Sequence, residues 1–114
     1  MVPLESDDNL RLEIRHVLFI DIVGYSKLLI EEQKERLGQL TSIVLRTAQV
    51  RDSSDEQLVR LPTGDGMALV FRHSPEEPAH CALEISEALR KHPELCVRMG
   101  IHSGCRCRSM ARWK

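Results

Sequence analysis

Apolar positions along the chain follow two rhythms, and the switch between them sets out the elements. From Ile14 to Ile22 they cluster almost without interruption, which predicts a strand buried on both faces. Leu37, Leu40, Val44 and Ala48 then recur at three- and four-residue steps, with Glu32, Lys34, Glu35 and Arg46 mostly off the stripe. That spacing predicts an amphipathic helix. Ser26 is its expected N-cap, and Gly38 is the point at which it is expected to divide if it divides at all. Arg51 to Glu56 is a polar loop. Gln57–Leu61 and Met67–Phe71 are strands joined by Pro62-Thr63-Gly64-Asp65-Gly66, a hairpin connection in which Pro fixes one torsion and two glycines flank the Asp. Ser74-Pro75-Glu76-Glu77 opens a second helix as a capping box with Pro at the first helical position. Ala82, Ile85 and Leu89 are its buried face, Arg90 and Lys91 suit its C-terminal dipole, and Pro93 stops it. Leu95, Val97, Met99 and Ile101 alternate with Cys96, Arg98 and Gly100 in a last strand that ends at His102-Ser103-Gly104.

The order strand, helix, strand, strand, helix, strand predicts a ferredoxin-like α+β fold, an antiparallel sheet with helices on one face. At 114 residues the chain holds one domain. Residues 1–12 are the expected lead-in, 13–104 the domain, and 105–114 a basic tail without strand or helix period.

Composition narrows the function classes. A net charge of −1 gives no reason to expect nucleic-acid or acidic-membrane binding. No apolar run approaches the roughly 20 residues of a membrane helix, and the acidic start is not a secretory signal. Cys81 and Cys96 fall inside apolar patterns and read as small core residues. Cys105 and Cys107 with His102 lack the spacing of a standard zinc site. A reducing cytoplasm is the expected location.

Two carboxylates carry the candidate chemistry. Asp21 ends the apolar run Val17-Leu18-Phe19-Ile20, and Asp65 sits in the tight turn Thr63-Gly64-Asp65-Gly66. A lone Asp at either place is ordinarily a cap or turn residue. In a split βαβ arrangement, however, the first strand lies beside the hairpin and both acids reach the same edge of the sheet. Hard oxygen donors of this kind suit Mg2+ or Mn2+, and the pair with the Ile22 carbonyl has the donors for two ions. The backbone N–H groups from Val23 through Gly24 and Tyr25 to Ser26 are an expected cradle for phosphates.

Phe19-Ile20-Asp21-Ile22-Val23-Gly24-Tyr25-Ser26 resembles the first metal motif of the class III adenylate/guanylate cyclase catalytic domain. Thr63-Gly64-Asp65-Gly66 resembles its second metal motif, and Arg98-Met99-Gly100-Ile101-His102-Ser103-Gly104 its glycine-histidine strand. The three stand in the family's order between about Arg15 and Gly104. The resemblance implies a nucleotide cyclase that converts ATP or GTP to a 3′,5′-cyclic nucleotide and pyrophosphate, for intracellular signalling. It also implies two Mg2+ or Mn2+ ions on Asp21, Ile22 and Asp65, phosphates held by Val23 to Ser26, and turn glycines Gly64 and Gly66. Partners would be a second copy in a head-to-tail homodimer, or a complete cyclase domain in a heterodimer.

The departures from the family pattern are equally specific. Leu61 stands where adenylate cyclases typically carry a base-reading Lys, so adenine against guanine is left open. The family's transition-state Asn and Arg have no counterpart here, so the fragment alone is expected to turn over weakly or not at all. Cys105 and Cys107 replace the usual Pro-Val, and codons chosen for the tail read in a shifted frame as a family-like continuation, so the tail is expected to be a frameshifted end. The alternative reading is a catalytically inactive nucleotide-binding or dimerising module.

Overall fold

The computed structural model describes residues 12–54, 57–72 and 74–107. The expected lead-in as far as residue 11, and the tail from residue 108, lie outside the described residues. Strand β1 (Leu12–Ile22) is followed by a 3-10 turn (Tyr25–Lys27) and helices α1 (Ile30–Arg46) and α2 (Ala48–Arg51). The β2 (Leu58–Thr63)–β3 (Gly66–Phe71) hairpin, helix α3 (Glu76–Leu89) and strand β4 (Val97–Cys107) complete the order. The four strands form one antiparallel sheet in the order β2-β3-β1-β4. This is the ferredoxin-like arrangement that the alternating periods predict.

Register decides which side chains meet. Ile20 pairs with Met67 and Met99, and Leu18 with Leu69 and Ile101, so even-numbered residues of β1 turn to the helices. Leu18, Ile20, Ile22, Met67, Leu69 and Phe71 form the core with Leu40, Ile43 and Val44 of α1 and Cys81 and Ile85 of α3. Burial of a side chain of this size contributes about 1.5–3 kcal/mol, so this layer holds the sheet to the helices. The opposite face carries Val17, Phe19, Ala68, Val70, Val59 and Leu61 by the same register. Val17 is buried, but Phe19 is 37% and Leu61 49% exposed. The first strand is therefore buried on its helix side and only partly on the other, because the two main helices share one layer.

His16 is buried on the helix face, where its Nδ1 and the Ser103 hydroxyl are 2.6 Å apart. Cys81 is fully buried beside Thr47. Burial pushes its thiol up from the ordinary value, and Glu84 adds to the rise, against a smaller lowering by the Thr47 hydroxyl.

Four local expectations are corrected. The first helix starts at Ile30, with Leu29 as N-cap, because Ser26 is taken into the 3-10 turn. The Leu29 N–H donates to Glu32 Oε1 over 3.1 Å, so the helix's own carboxylate caps its start. The helix runs unbroken through Gly38 and breaks at Thr47, whose backbone is extended and whose hydroxyl donates to the Val44 carbonyl (2.8 Å). Helix α3 begins one residue beyond Pro75, with the Glu76 N–H on Ser74 Oγ at 3.2 Å. Strand β4 continues to Cys107, because β1 supplies partners out to Leu12. Positions 105–107, assigned to a tail without period, thus belong to the sheet.

Candidate functional site

Asp21 is the next-to-last residue of β1 and stands opposite Gly66 in β3 and Arg98 in β4. One residue further, the Ile22 N–H donates to the Asp65 carbonyl (2.8 Å), and the Val23 N–H donates to the Cys96 carbonyl (2.8 Å). The chain leaving β1 is thus held by main-chain bonds on both sides, by the hairpin turn and by the approach to β4. The backbone then turns at Gly24, whose φ of 71° is the one positive value among the described residues. A side chain there costs about 1–2 kcal/mol. The 3-10 turn closes with Lys27 N–H on Gly24 O (3.0 Å) and Leu28 N–H on Tyr25 O (3.1 Å), while Gln33 Nε2 donates to Tyr25 O (2.9 Å) from α1.

These bonds shape a concavity of about 450 Å³ lined by Ile22, Val23, Gly24, Tyr25, Ser26, Gly64, Asp65 and Arg98. Seven of the lining residues are candidates from the sequence. Asp21 is not a lining residue, but its Oδ2 is 4.0 Å from Nη2 of Arg98, which is. Gly66 is buried below the turn, and a Cβ there would lie 1.8 Å from the Ile20 carbonyl oxygen. Its absence of a side chain is a packing requirement. A Cβ on Gly64 meets nothing within 4 Å, and neither turn residue has a positive φ. The two-residue turn Gly64-Asp65 therefore uses no left-handed backbone, unlike the primed turns that the glycines suggest.

The expected cradle is also narrower than the sequence indicates. The Val23 amide is committed to Cys96, whereas those of Gly24, Tyr25 and Ser26 have no backbone carbonyl partner among the described residues. Arg98 joins the site through its register opposite Asp21. On sequence it is one basic residue of an alternating strand, and only the pairing of β4 with β1 sets it opposite Asp21. Arg60, equally basic, lines a different depression with Val50, Ser53, Ser54, Leu58 and Val59.

The donor chemistry around the ends of β1 and the hairpin turn is oxygen-rich. Asp21, Asp65 and the backbone carbonyls near them are hard ligands that fit Mg2+ or Mn2+. The side chain of Asp21 is 37% exposed and already faces a cation, the Arg98 guanidinium. No group of three or more His, Cys, Asp or Glu side chains gathers among the described residues, so a cation here would complete its shell with water or a phosphate-bearing ligand.

No known protein family matches the chain, and no curated protein does. Among solved structures it is similar to a bacterial light-regulated adenylyl cyclase, with a TM-score of 0.65 and 23% sequence identity. The match covers 83% of this chain and 55% of that one. The fold is cyclase-like. The chain spans about half the length of this neighbour. No described helix is long and apolar enough to cross a membrane.

Proposed function

We propose that the chain is the metal- and triphosphate-binding portion of a nucleotide cyclase domain, with ATP or GTP as its ligand. The observation that supports this reading is the main-chain bond from the Ile22 N–H to the Asp65 carbonyl, which joins the end of β1, one residue past Asp21, to the hairpin turn that carries Asp65. Asp21, Asp65 and the Ile22 carbonyl would hold two divalent ions. The amides of Gly24, Tyr25 and Ser26 would receive triphosphate oxygens, and the Arg98 guanidinium would offset their charge. In the family reaction the substrate's 3′-oxygen bonds to the α-phosphorus, the bond to the β-phosphate oxygen breaks, pyrophosphate leaves, and the hydroxyl proton passes to solvent. When bound, the ions favour the ionised hydroxyl and offset charge on the leaving phosphates. This chain's own contribution is to fix the triphosphate and neutralise it.

Calorimetry with Mg2+ and a nonhydrolysable ATP or GTP analogue tests the reading. Metal-dependent binding that is lost in Asp21→Ala supports it, and no binding, or binding indifferent to Asp21, overturns it. Cyclic nucleotide formation with Mn2+ measures turnover, expected to be weak or nil. An electrostatic transition-state stabiliser is worth about 3–4 kcal/mol, and no Asn or Arg matching the family's pair stands in this sequence.

A second reading, a dimerising module without chemistry, is favoured by the sheet face away from the helices. Phe19 and Leu61 leave apolar surface there that no described helix covers, and a second copy or a complete cyclase domain would bury it.

A further inference from the structure

The 3-10 turn after β1 is held by a side chain that does not line the concavity. Gln33, in the first turn of α1, donates from Nε2 to the Tyr25 carbonyl over 2.9 Å. The Leu28 N–H donates to the same oxygen over 3.1 Å. A carbonyl oxygen has two lone pairs, so both acceptor positions of Tyr25 are filled. Because a carbonyl only accepts, the end of the Gln33 amide that faces it is the NH2 group.

The root of the Gln33 side chain is fixed as well. Its own N–H makes a main-chain bond to the Leu29 carbonyl (2.8 Å), and the Leu29 N–H is capped by Glu32 Oε1 (3.1 Å). Farther along, α1 is seated on the core through Leu40, Ile43 and Val44. Gln33 therefore ties a helix anchored in the core to one peptide group of the turn.

That peptide group has its other end at the cleft. A trans peptide unit is planar, so its N–H points opposite to its C=O, and no cis peptide occurs among the described residues. The Tyr25 carbonyl and the Ser26 N–H belong to one such unit. Drawing the carbonyl toward α1 turns the Ser26 N–H away from α1. Ser26 lines the concavity, and its N–H has no backbone carbonyl partner among the described residues.

We infer that Gln33 is a positioning residue for triphosphate binding: its side-chain amide fixes the Tyr25–Ser26 peptide so that the Ser26 N–H is aimed at a phosphate oxygen. This rests on the reading of Gly24, Tyr25 and Ser26 as a phosphate cradle, and adds to it a residue outside the sequence motifs. Gln33 touches no phosphate itself. It acts by ordering a donor before the ligand arrives, which removes part of the ordering cost from binding. The bond so prepared is charge-assisted, from an amide to an anionic oxygen.

The test is Gln33→Met in the full chain, which keeps the length and helix propensity of the side chain and removes its donor. Calorimetry compares Mg2+ with inorganic tripolyphosphate, Mg2+ with a nonhydrolysable ATP analogue, and Mn2+ alone. The variant is expected to bind both phosphate ligands about fivefold more weakly, some 1 kcal/mol, and to bind Mn2+ alone as the parent does. In the isotope-labelled chain, the shift of the Ser26 amide signal at saturating tripolyphosphate is expected to be smaller than in the parent. A residue that only braces the fold would lower the urea midpoint and leave the phosphate affinities of the folded chain unchanged, and that result would overturn the inference alone. Equal weakening of Mn2+ and phosphate binding would mean a general loosening of the site and would also overturn it. A parent chain that binds neither phosphate ligand would overturn the cyclase reading and this inference with it.

Discussion

The N–H of Ile22 donates to the carbonyl of Asp65 across 2.8 Å, tying the end of β1 to the turn of the β2–β3 hairpin. These residues are far apart in sequence, and the bond forms because Asp21 is in register with Gly66. One residue of slippage would send Asp21 to the core side of the sheet. The position of the acids is thus a property of the strand pairing, which the core side chains enforce.

Gly66 is the residue on which that register depends. Gly66→Ala would push a methyl group into the Ile20 carbonyl, and is expected to destabilise the fold by about 3 kcal/mol or more. Gly64→Ala, with open space around the added carbon, is expected to change stability by less than about 1 kcal/mol. Urea melts of the two variants check the contrast. Equal midpoints would show that the strands do not approach as closely as described.

Asp21→Asn and Asp65→Asn are expected to leave the urea midpoint near that of the parent, since both side chains are at least partly exposed. Each is expected to remove Mg2+-dependent triphosphate binding. Isothermal calorimetry with and without Mg2+ separates a lost metal site from a lost phosphate contact.

For Arg98→Ala the expected outcome is about tenfold weaker triphosphate binding at low salt, with the difference shrinking as salt is added. The Arg98 side chain is 77% exposed, so solvent screening limits its worth. A salt series on both proteins reads the effect directly.

The ordering of the strands and helices is legible in the sequence because the two hydrophobic periods are clean. Ile85 and Leu40 lie in the core as their spacing predicts. Element ends were set by competing local bonds that periodicity does not register. Ser26 entered a 3-10 turn instead of capping α1, and Thr47 broke the helix through a hydroxyl bond to Val44 while Gly38 did not. Arg98 shows the same limit at the site. Its place beside Asp21 follows from long-range pairing between β1 and β4, and an alternating strand gives no hint of which residue of another strand it will face.

Cys81 and Cys96 are expected to differ in reactivity. Burial raises the Cys81 thiol above its ordinary value, so it stays protonated at neutral pH and lacks the nucleophilic thiolate. Cys96 is exposed. Iodoacetamide at neutral pH, followed by peptide mass analysis, is expected to label Cys96 and spare Cys81 until denaturant is added. Early labelling of Cys81 would mean that α3 opens readily from the sheet.

The apolar face opposite the helices gives the last expectation. On the dimerising reading, the parent chain is expected to sediment as a dimer and Phe19→Asp as a monomer in analytical ultracentrifugation. The secondary structure by circular dichroism should be retained, because Phe19 is outside the main core.

The loop after β1 is gripped at Ile22 and Val23 through peptide groups, with carbonyls of Asp65 and Cys96 as the acceptors. Every amino acid carries a carbonyl, and every one except proline carries an amide hydrogen. Mutation can therefore exchange the side chains at positions 23 and 96 freely while the bend keeps its shape. Proline at 22 or 23 is the change that would let it go.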